Sequence, residues 1–481
     1  MDTARAQSTL PGENPGVMPN LESFAEEGTT FSQAITTAPW TLPSHASMFT
    51  GQYTSDHGTH AGSTQFSPEV DPLAALLQSH GYRTIGVSNN SWIAPEFGFD
   101  TGFEEFYRGW EVVTGGADLS KVSQGGDSLF EQFRSLLSSV SFSELPQTLV
   151  NAAYARFLYR RSDYGARATN FRLKRLLGGN NDRPFFAFVN YLEPHLEYDP
   201  PEPYRYGHLP DYISENNAES TPQRPWEYLG GVVEMDSQDF EALRALYHAE
   251  LSYLDYRLGR LFDYLTEENI LDETLVVVVG DHGENIGDHG MMDHQYGLYD
   301  TLLRVPLFVR HPDTVAAGRI SDSLVELRSI YPTILGHANV PLPEDNTVAK
   351  ESLLAEDGID QSSAGDQKEV FAEYLTPQPA IERLQELAND TADVRQFNRS
   401  LRCIRTDNWK YVAGSDGSDW LYDLSADPEE EVDVADQYPN RTAEFRNRLI
   451  ETFGSFVTPD ENMKDKIDDS TSKRLEDLGY I

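Results

Sequence analysis

Short β-branched or aromatic runs alternating with amphipathic stretches predict an α/β fold: a central, mostly parallel sheet flanked by helices, with a small antiparallel C-terminal subdomain. Arg83–Ser88, Pro184–Tyr191, Thr274–Val279 and Val305–Arg310 read as strands buried on both faces, because their apolar runs are near-continuous rather than alternating. Leu21–Glu27, Leu73–His80, Gln238–Leu265 and Leu324–Gly336 carry helical spacing between or after those runs. Glu369–Tyr374, Leu401–Arg405, Trp409–Val412 and Trp420–Leu424 are short strands separated by turns, and a helix is expected from Asn440 to Phe456. The expected organisation is therefore a catalytic domain over 1–370 and an α+β subdomain over 371–481. Residues 109–182 and 205–237 fit the rhythm poorly and read as insertions, while 343–370, rich in Glu, Asp, Ser and Gly, reads as a solvated connector.

Composition narrows the function classes. Among 481 residues, 78 Asp+Glu face 37 Lys+Arg, for a formal net charge of -41, yet 24 Tyr and 24 Phe supply a core that a disordered acidic chain lacks. Only 8 of the basic residues are Lys. An acid-rich, Lys-poor surface suits a halophilic cytoplasm, where a Debye length of about 3 Å at 1 M salt screens self-repulsion. Nucleic acid is disfavoured as a partner, since no basic patch is present to grip phosphates. Cys403 is the single cysteine, which excludes an intramolecular disulfide and a cysteine-based zinc site. Apolar runs such as Leu275–Val279 fall far short of the roughly 20 residues of a membrane helix, so the expectation is a cytoplasmic chain with no transmembrane segment. Oligomeric state is not legible.

Four segments carry candidate chemistry. In Thr37–Gly51, hydroxyls and prolines crowd ahead of a helix-like run, where free N–H groups favour an anion; taken alone, the segment reads as an ordinary N-cap. Val279–Gly290 with Asp293 and His294 places carboxylates and imidazoles in a Gly-rich loop at the carboxyl end of the strongest strand, where α/β sheets bind ligands and a divalent metal is well held. His195 follows another buried strand in a proline-flanked loop, a position that by itself suits a structural hydrogen bond more often than catalysis. Asp2 stands beside the first residue.

Together these segments resemble the sulfatase family of the alkaline-phosphatase-like superfamily. Met1–Arg5 is similar to the end of the family's first strand with its metal-binding Asp, and Thr41–Ser47 with Gly51 is similar to its nucleophile motif. Asp281–Glu284, Glu193–His195 and Leu298–Leu307 match three further landmarks. Pro19–Leu21, Glu27–Gly28, Gly81–Tyr82, Leu421–Leu424, Asp427–Pro428 and Leu478–Ile481 extend the likeness over nearly the whole chain.

The resemblance implies that Asp2, Asp281, His282 and Thr41 hold one divalent cation, whether Ca, Mg, Mn or Zn. It implies a double displacement with Thr41 as nucleophile, and His195 and His294 flanking the anionic ester to bind its oxygens or protonate the leaving group. His45 occupies the place of the motif's usual Arg and joins the expected catalytic set; the expected Lys is replaced by His294 or Gln295. Sulfatases oxidise a Cys or Ser to formylglycine, which Thr41 cannot form, whereas Thr nucleophiles belong to superfamily relatives acting on phosphodiesters or transferring phosphoryl-linked groups. The expected function is a metal-dependent hydrolase of sulfate or phosphate esters; alternatives are a Thr-dependent phosphodiesterase or phosphotransferase, and a non-catalytic binder of sulfated or phosphorylated glycans. The substrate is an anionic ester, glycan or lipid-linked, with its organic part chosen by the two insertions. No apolar strand precedes Asp2, so the sequence predicts a native protein with roughly ten further residues, including an apolar run of about 5 or 6.

Overall fold

The computed structural model describes residues 1–109, 163–178, 183–354 and 368–456. Its strands are β1 (Thr29–Ile35), β2 (Arg83–Ser88), β3 (Glu105–Arg108), β4 (Phe185–Asn190), β5 (Val276–Val279), the hairpin β6 (Asn285–Ile286) and β7 (Met292–Asp293), β8 (Arg304–Arg310), β9 (Arg319–Ser321) and β10 (Val325–Glu326). A C-terminal set follows: β11 (Val370–Tyr374), β12 (Leu401–Arg405), β13 (Trp409–Gly414) and β14 (Asp419–Asp423).

One sheet has the order β10-β1-β8-β5 with β9 also on β1, and a second has the order β3-β2-β4. Pairing is parallel between β1 and both β9 and β10, and throughout the second sheet. β8 is the exception, antiparallel to β1 and to β5, with Val277 opposite Val309. The chain leaves β5 at its carboxyl end and re-enters the sheet from that same end through 281–303, and a parallel return would need a crossover along the sheet's face.

Met1–Asp2 joins the two sheets. The Met1 amino group donates to the Val279 carbonyl at 2.9 Å, Asp281 N–H to the Met1 carbonyl at 3.3 Å, and Asp2 N–H to the Tyr191 carbonyl at 3.0 Å. Behind this junction lies the helix Ser237–Glu267, started by a capping box in which Asp236 accepts from Gln238 and Asp239 N–H while Asp239 accepts from Asp236 N–H. Leu243, Tyr247, Leu251, Leu254 and Leu258 recur at helical spacing and are buried. Tyr247 is more than packing: its hydroxyl accepts from Arg5 N–H at 2.9 Å and donates to the Thr3 carbonyl at 2.8 Å, pinning the segment that carries Asp2.

One expectation is corrected. Leu324–Gly336 is not one helix: Val325–Glu326 is β10, pairing with Ala34–Ile35 of β1, and the helix proper is Ile330–His337 after a 3₁₀ turn. Long-range pairing there overrides helical spacing. Within 109–182, expected to carry helices and loops over the sheet, the described part holds the helix Ala166–Leu177, whose Leu173 and Leu177 pack with Ile85 and Val87 of β2. The rest of that stretch, 110–162 and 179–182, lies outside the described residues, as does the Leu478–Ile481 match. Residues 205–237 carry the short helices Glu215–Ser220 and Pro225–Leu229. Among the described residues no helix is long and apolar enough to cross a membrane.

β11 to β14 form an antiparallel meander covered by the helix Pro439–Phe453. Val370, Ala372, Cys403 and Val412 of this sheet share one core cluster with Phe31, Leu42, Trp92 and Leu307. Lys410 of β13 is fully buried, with its ammonium 2.9 Å from Asp300 and 2.7 Å from Glu430. Lys410→Met removes the shared cation of a buried ionic cluster, leaving Glu430 without its counter-charge and Asp300 with Arg405 alone. It is expected to lower stability by about 3–5 kcal/mol, read as a shift of the denaturant midpoint at unchanged m-value.

Candidate active site

The loop after β5 builds the centre. Asp281 Oδ1 accepts N–H groups from His282 at 2.9 Å and from Thr3 at 3.2 Å, tying the ends of two chain segments to one carboxylate. His282 Nδ1 donates to the Gly283 carbonyl at 2.9 Å, which fixes the tautomer and leaves Nε2 facing inward. Gly283 is required by close approach: a Cβ there would lie 1.9 Å from the Thr301 carbonyl oxygen. His282 Nε2 sits 3.7 Å from Asp2 Oδ1 and 3.5 Å from Asp281 Oδ2.

Thr41 is the first residue of the helix Thr41–Thr50, so its hydroxyl lies at the end where unpaired N–H groups stabilise negative charge. It donates to His282 Nε2 at 3.1 Å. Ser44, one turn on, donates to the Asp281 carbonyl at 2.7 Å and locks the helix against the β5 loop. His45 Nδ1 donates to the Thr41 carbonyl at 2.9 Å and lies 3.6 Å from Asp281 Oδ2.

His195, in the loop after β4, and His294, at the end of the β6–β7 hairpin, complete the convergence. Their ring centroids are 5.3 Å apart, and those of His282 and His294 are 4.5 Å apart. His294 is therefore a residue that reaches the centre. All seven sequence-nominated side chains (Asp2, Thr41, His45, His195, Asp281, His282 and His294) are buried and linked through these contacts.

Electrostatics separate their states. Burial, then Asp281, pushes the Asp2 carboxyl well above the carboxylate range. Burial holds His282 down at about 3 and His195 at about 4, so both are neutral imidazoles. Burial opposes the charged form of His294 too, but Asp293, 2.5 Å from Nδ1, and Glu284, 3.4 Å away, outweigh it and raise its pKa well above the usual value.

Asp2, Asp281 and His282 offer ligand atoms all within 4.8 Å of one another. Asp2 Oδ1 and Asp281 Oδ2 are buried with no hydrogen-bond partner among the described residues, so the donor set fits a divalent cation. Glu284, Asp293 and His294 form a second group by the same measure. Sequence reasoning missed Asn90, whose Nδ2 donates to Asp2 Oδ2 at 2.6 Å and to Thr41 Oγ1 at 3.4 Å. Its one signal was position, just past the carboxyl end of β2.

Fold and site together place the protein among the alkaline-phosphatase-like enzymes. The sulfatase family matches residues 1–340, and the chain belongs to that family, whose members use a divalent metal. It is 24% identical over 461 residues to arylsulfatase K of Homo sapiens, covering 91% of this chain and 78% of that protein. Identity is 25% over 440 residues to the uncharacterized sulfatase YidJ of Escherichia coli (strain K12), covering 89% and 80%. Among solved structures, the phosphonate monoester hydrolase of Agrobacterium radiobacter superposes with a TM-score of 0.67 at 20% identity, over 94% of this chain and 93% of that one. A protein in complex with its substrate D-glucosamine-2-N,6-O-disulfate superposes with a TM-score of 0.68 at 18% identity, over 96% and 98%.

Asn90→Ala removes the donor shared by Asp2 and Thr41 while touching no strand. It is expected to weaken divalent-cation affinity about 10- to 100-fold with an unchanged circular dichroism spectrum, as measured by calorimetric titration of Mn²⁺ into chelator-treated protein.

Proposed function

We propose that the protein hydrolyses anionic esters through Thr41, with phosphoryl esters, diesters above all, preferred to sulfate monoesters. The observation that carries this is the Thr41 hydroxyl at a helix start, 3.1 Å from His282 Nε2 and beside a buried two-carboxylate cluster. Asp2, Asp281, His282 and Thr41 would hold one divalent cation. Bound there, it supplies Lewis acidity toward an ester oxygen and a lowered pKa for the Thr41 hydroxyl.

The chain's own residues account for the rest. Thr41 Oγ1 releases its proton to solvent as it attacks phosphorus; the bond from phosphorus to Oγ1 forms as the bond to the leaving oxygen breaks, and that oxygen takes a proton from His294, which lies beside His195. Water then cleaves the Thr41 ester and restores the hydroxyl. Asn90 steadies Thr41 and Asp2, and His45 positions the Thr41 backbone against Asp281. Threonine supports the phosphoryl preference because it cannot become the hydrated aldehyde that sulfatases use on sulfate. Names among the relatives span both chemistries, from arylsulfatase to phosphonate monoester hydrolase, and one structural neighbour's substrate is a sulfated glucosamine, in keeping with a glycan-type organic part. The family match covers most of the 1–370 unit proposed as catalytic, and 371–481 is proposed as a supporting subdomain.

The test is a paired assay of an aryl sulfate, an aryl phosphate and an aryl phosphodiester with defined metals in concentrated salt. Phosphodiester turnover should lead, and Thr41→Ala should lose at least about 10² to 10⁴-fold with the fold intact. Aryl sulfate as best substrate overturns the preference, and full activity in Thr41→Ala overturns the nucleophile. Binding without any turnover would mark a non-catalytic receptor instead.

The formal charge of -41 also repels an anionic ester at long range. With a Debye length falling from about 30 Å at 0.01 M to about 3 Å at 1 M, kcat/KM for the best substrate is expected to rise with ionic strength. A fall across that range would count against a halophilic setting.

A further inference from the structure

We propose that Trp226 and Gln295 form a subsite for a hydroxylated ring in the substrate's organic part, so that the protein prefers esters of sugar-like alcohols to esters of bare hydrocarbon alcohols. This rests on the reading above and deepens it. The observation that points to a ligand is that both side chains are buried with their polar atoms unused. Gln295 is 1% exposed, and among the described residues neither its amide oxygen nor its amide nitrogen has a hydrogen-bond partner. The same holds for the indole N–H of Trp226, which is 9% exposed. Burying such groups unpaired is costly, so each calls for a partner from outside the chain.

The fold brings both to the end of β7, beside the reaction centre. Gln295 directly follows His294, whose ring lies 4.5 Å from that of His282 and 5.3 Å from that of His195. Trp226 belongs to the helix Pro225–Leu229, and that helix lies against β7, the strand that runs into His294. Two contacts hold the helix in place. Tyr228 meets Phe240 of the long helix edge-on, with ring centroids 5.4 Å apart, and Asn389 N–H donates to the Gly230 carbonyl, just past the helix end, at 2.8 Å. The indole therefore comes from 205–237, one of the two stretches expected to choose the organic part, and the amide from the loop that carries His294.

The donor set selects the ligand. An indole offers one N–H, and a primary amide offers two N–H groups and one carbonyl oxygen. Neither side chain carries charge, so the pair does not by itself select a second anion on the substrate. A hydroxyl donates and accepts at once, so neighbouring hydroxyls on a ring can use every one of these groups. A hydrocarbon in the same place leaves them all unpaired, and a site built to bond a hydroxyl rejects the analogue that lacks it.

The experiment compares two phosphodiesters that share a 4-nitrophenyl leaving group and differ in the other alcohol, glucose joined through O6 or cyclohexylmethanol. Wild-type kcat/KM is expected to favour the glucosyl ester by about 10- to 100-fold, and Trp226→Phe and Gln295→Met are each expected to cut that ratio at least about threefold. The same preference should appear in the dissociation constants of the two esters, measured by calorimetry on Thr41→Ala protein. Equal kcat/KM for the two esters overturns the subsite and leaves the proposed hydrolysis standing. Equal losses on both esters in the variants, with the ratio unchanged, mark the two side chains as packing and also overturn it. If neither ester is turned over and the glucosyl ester still binds more tightly, the hydrolytic reading fails and the subsite stands. Should both variants fail to fold, the wild-type ratio and the binding preference decide alone.

Discussion

The repulsion between Asp2 and Asp281, two carboxylates brought together where water is excluded, is the constraint that organises this protein. Two like charges about 4 Å apart would cost about 4 kcal/mol even at an effective dielectric of 20, which, after burial itself, is what pushes the Asp2 carboxyl well above the carboxylate range. The chain answers with donors and neutral groups rather than with a buried Lys or Arg. Asn90 gives Asp2 an N–H, the backbone of Thr3 and His282 gives Asp281 two more, and His282 is held in the tautomer that presents a lone pair. These choices make the cluster tolerable while keeping one oxygen on each carboxylate, Asp2 Oδ1 and Asp281 Oδ2, uncommitted. A cavity arranged in this way attracts a cation more strongly than one neutralised by a fixed side chain.

Holding such a cluster requires rigid backbone, and the rigidity is borrowed from distant elements. Tyr247 sits about a third of the way along a 31-residue helix and grips residues 3 and 5 with its hydroxyl. Ser44 ties the Thr41 helix to the Asp281 carbonyl, and Gly283 lets the β5 loop pass within hydrogen-bonding reach of Leu302, whose carbonyl accepts Gly283 N–H at 2.7 Å. Each contact joins residues more than a dozen positions apart, so the site forms only when the sheet is assembled. Its geometry is therefore a property of the fold and not of any one motif.

This explains which parts were legible in the sequence. Asp281, His282 and His294 could be nominated because a β-branched strand followed by a polar, Gly-rich loop is a local pattern, and β2, β5 and the long helix were legible for the same reason. Asp2, Thr41 and His195 gained meaning only through the family resemblance, since an Asp beside the first residue, a helix-start Thr and a lone loop His have commoner structural explanations. Asn90 escaped because one amide after a strand carries no periodicity. β1 and β10 escaped because Thr29–Ile35 mixes polar and apolar residues, and Val325–Glu326 is a strand only through its pairing with Ala34 and Ile35, almost 300 positions away. Glu284 and Asp293 were visible as residues but not as a group, because their meeting depends on the turn between β6 and β7.

That turn also accounts for the buried Lys410. Between β5 and β8 the chain visits left-handed backbone at His289, Asp293 and Tyr296, with φ of 55°, 75° and 61°, conformations that non-glycine residues hold only when their surroundings impose them. The far end of the excursion is Asp300, whose carboxylate takes Lys410 at 2.9 Å and Arg405 at 2.9 Å and whose N–H donates to Glu430. Lys410 and Arg405 lie on β13 and β12, and Glu430 lies beyond β14, so the C-terminal sheet grips the loop at one end while β5 grips it at the other. Burying an ammonium is expensive in isolation, but here it fixes the end of a strained segment whose middle carries Asp293 and His294. The antiparallel sheet thus supplies none of the seven nominated side chains and still governs the site, by setting where the loop that holds two of its charged groups must stop.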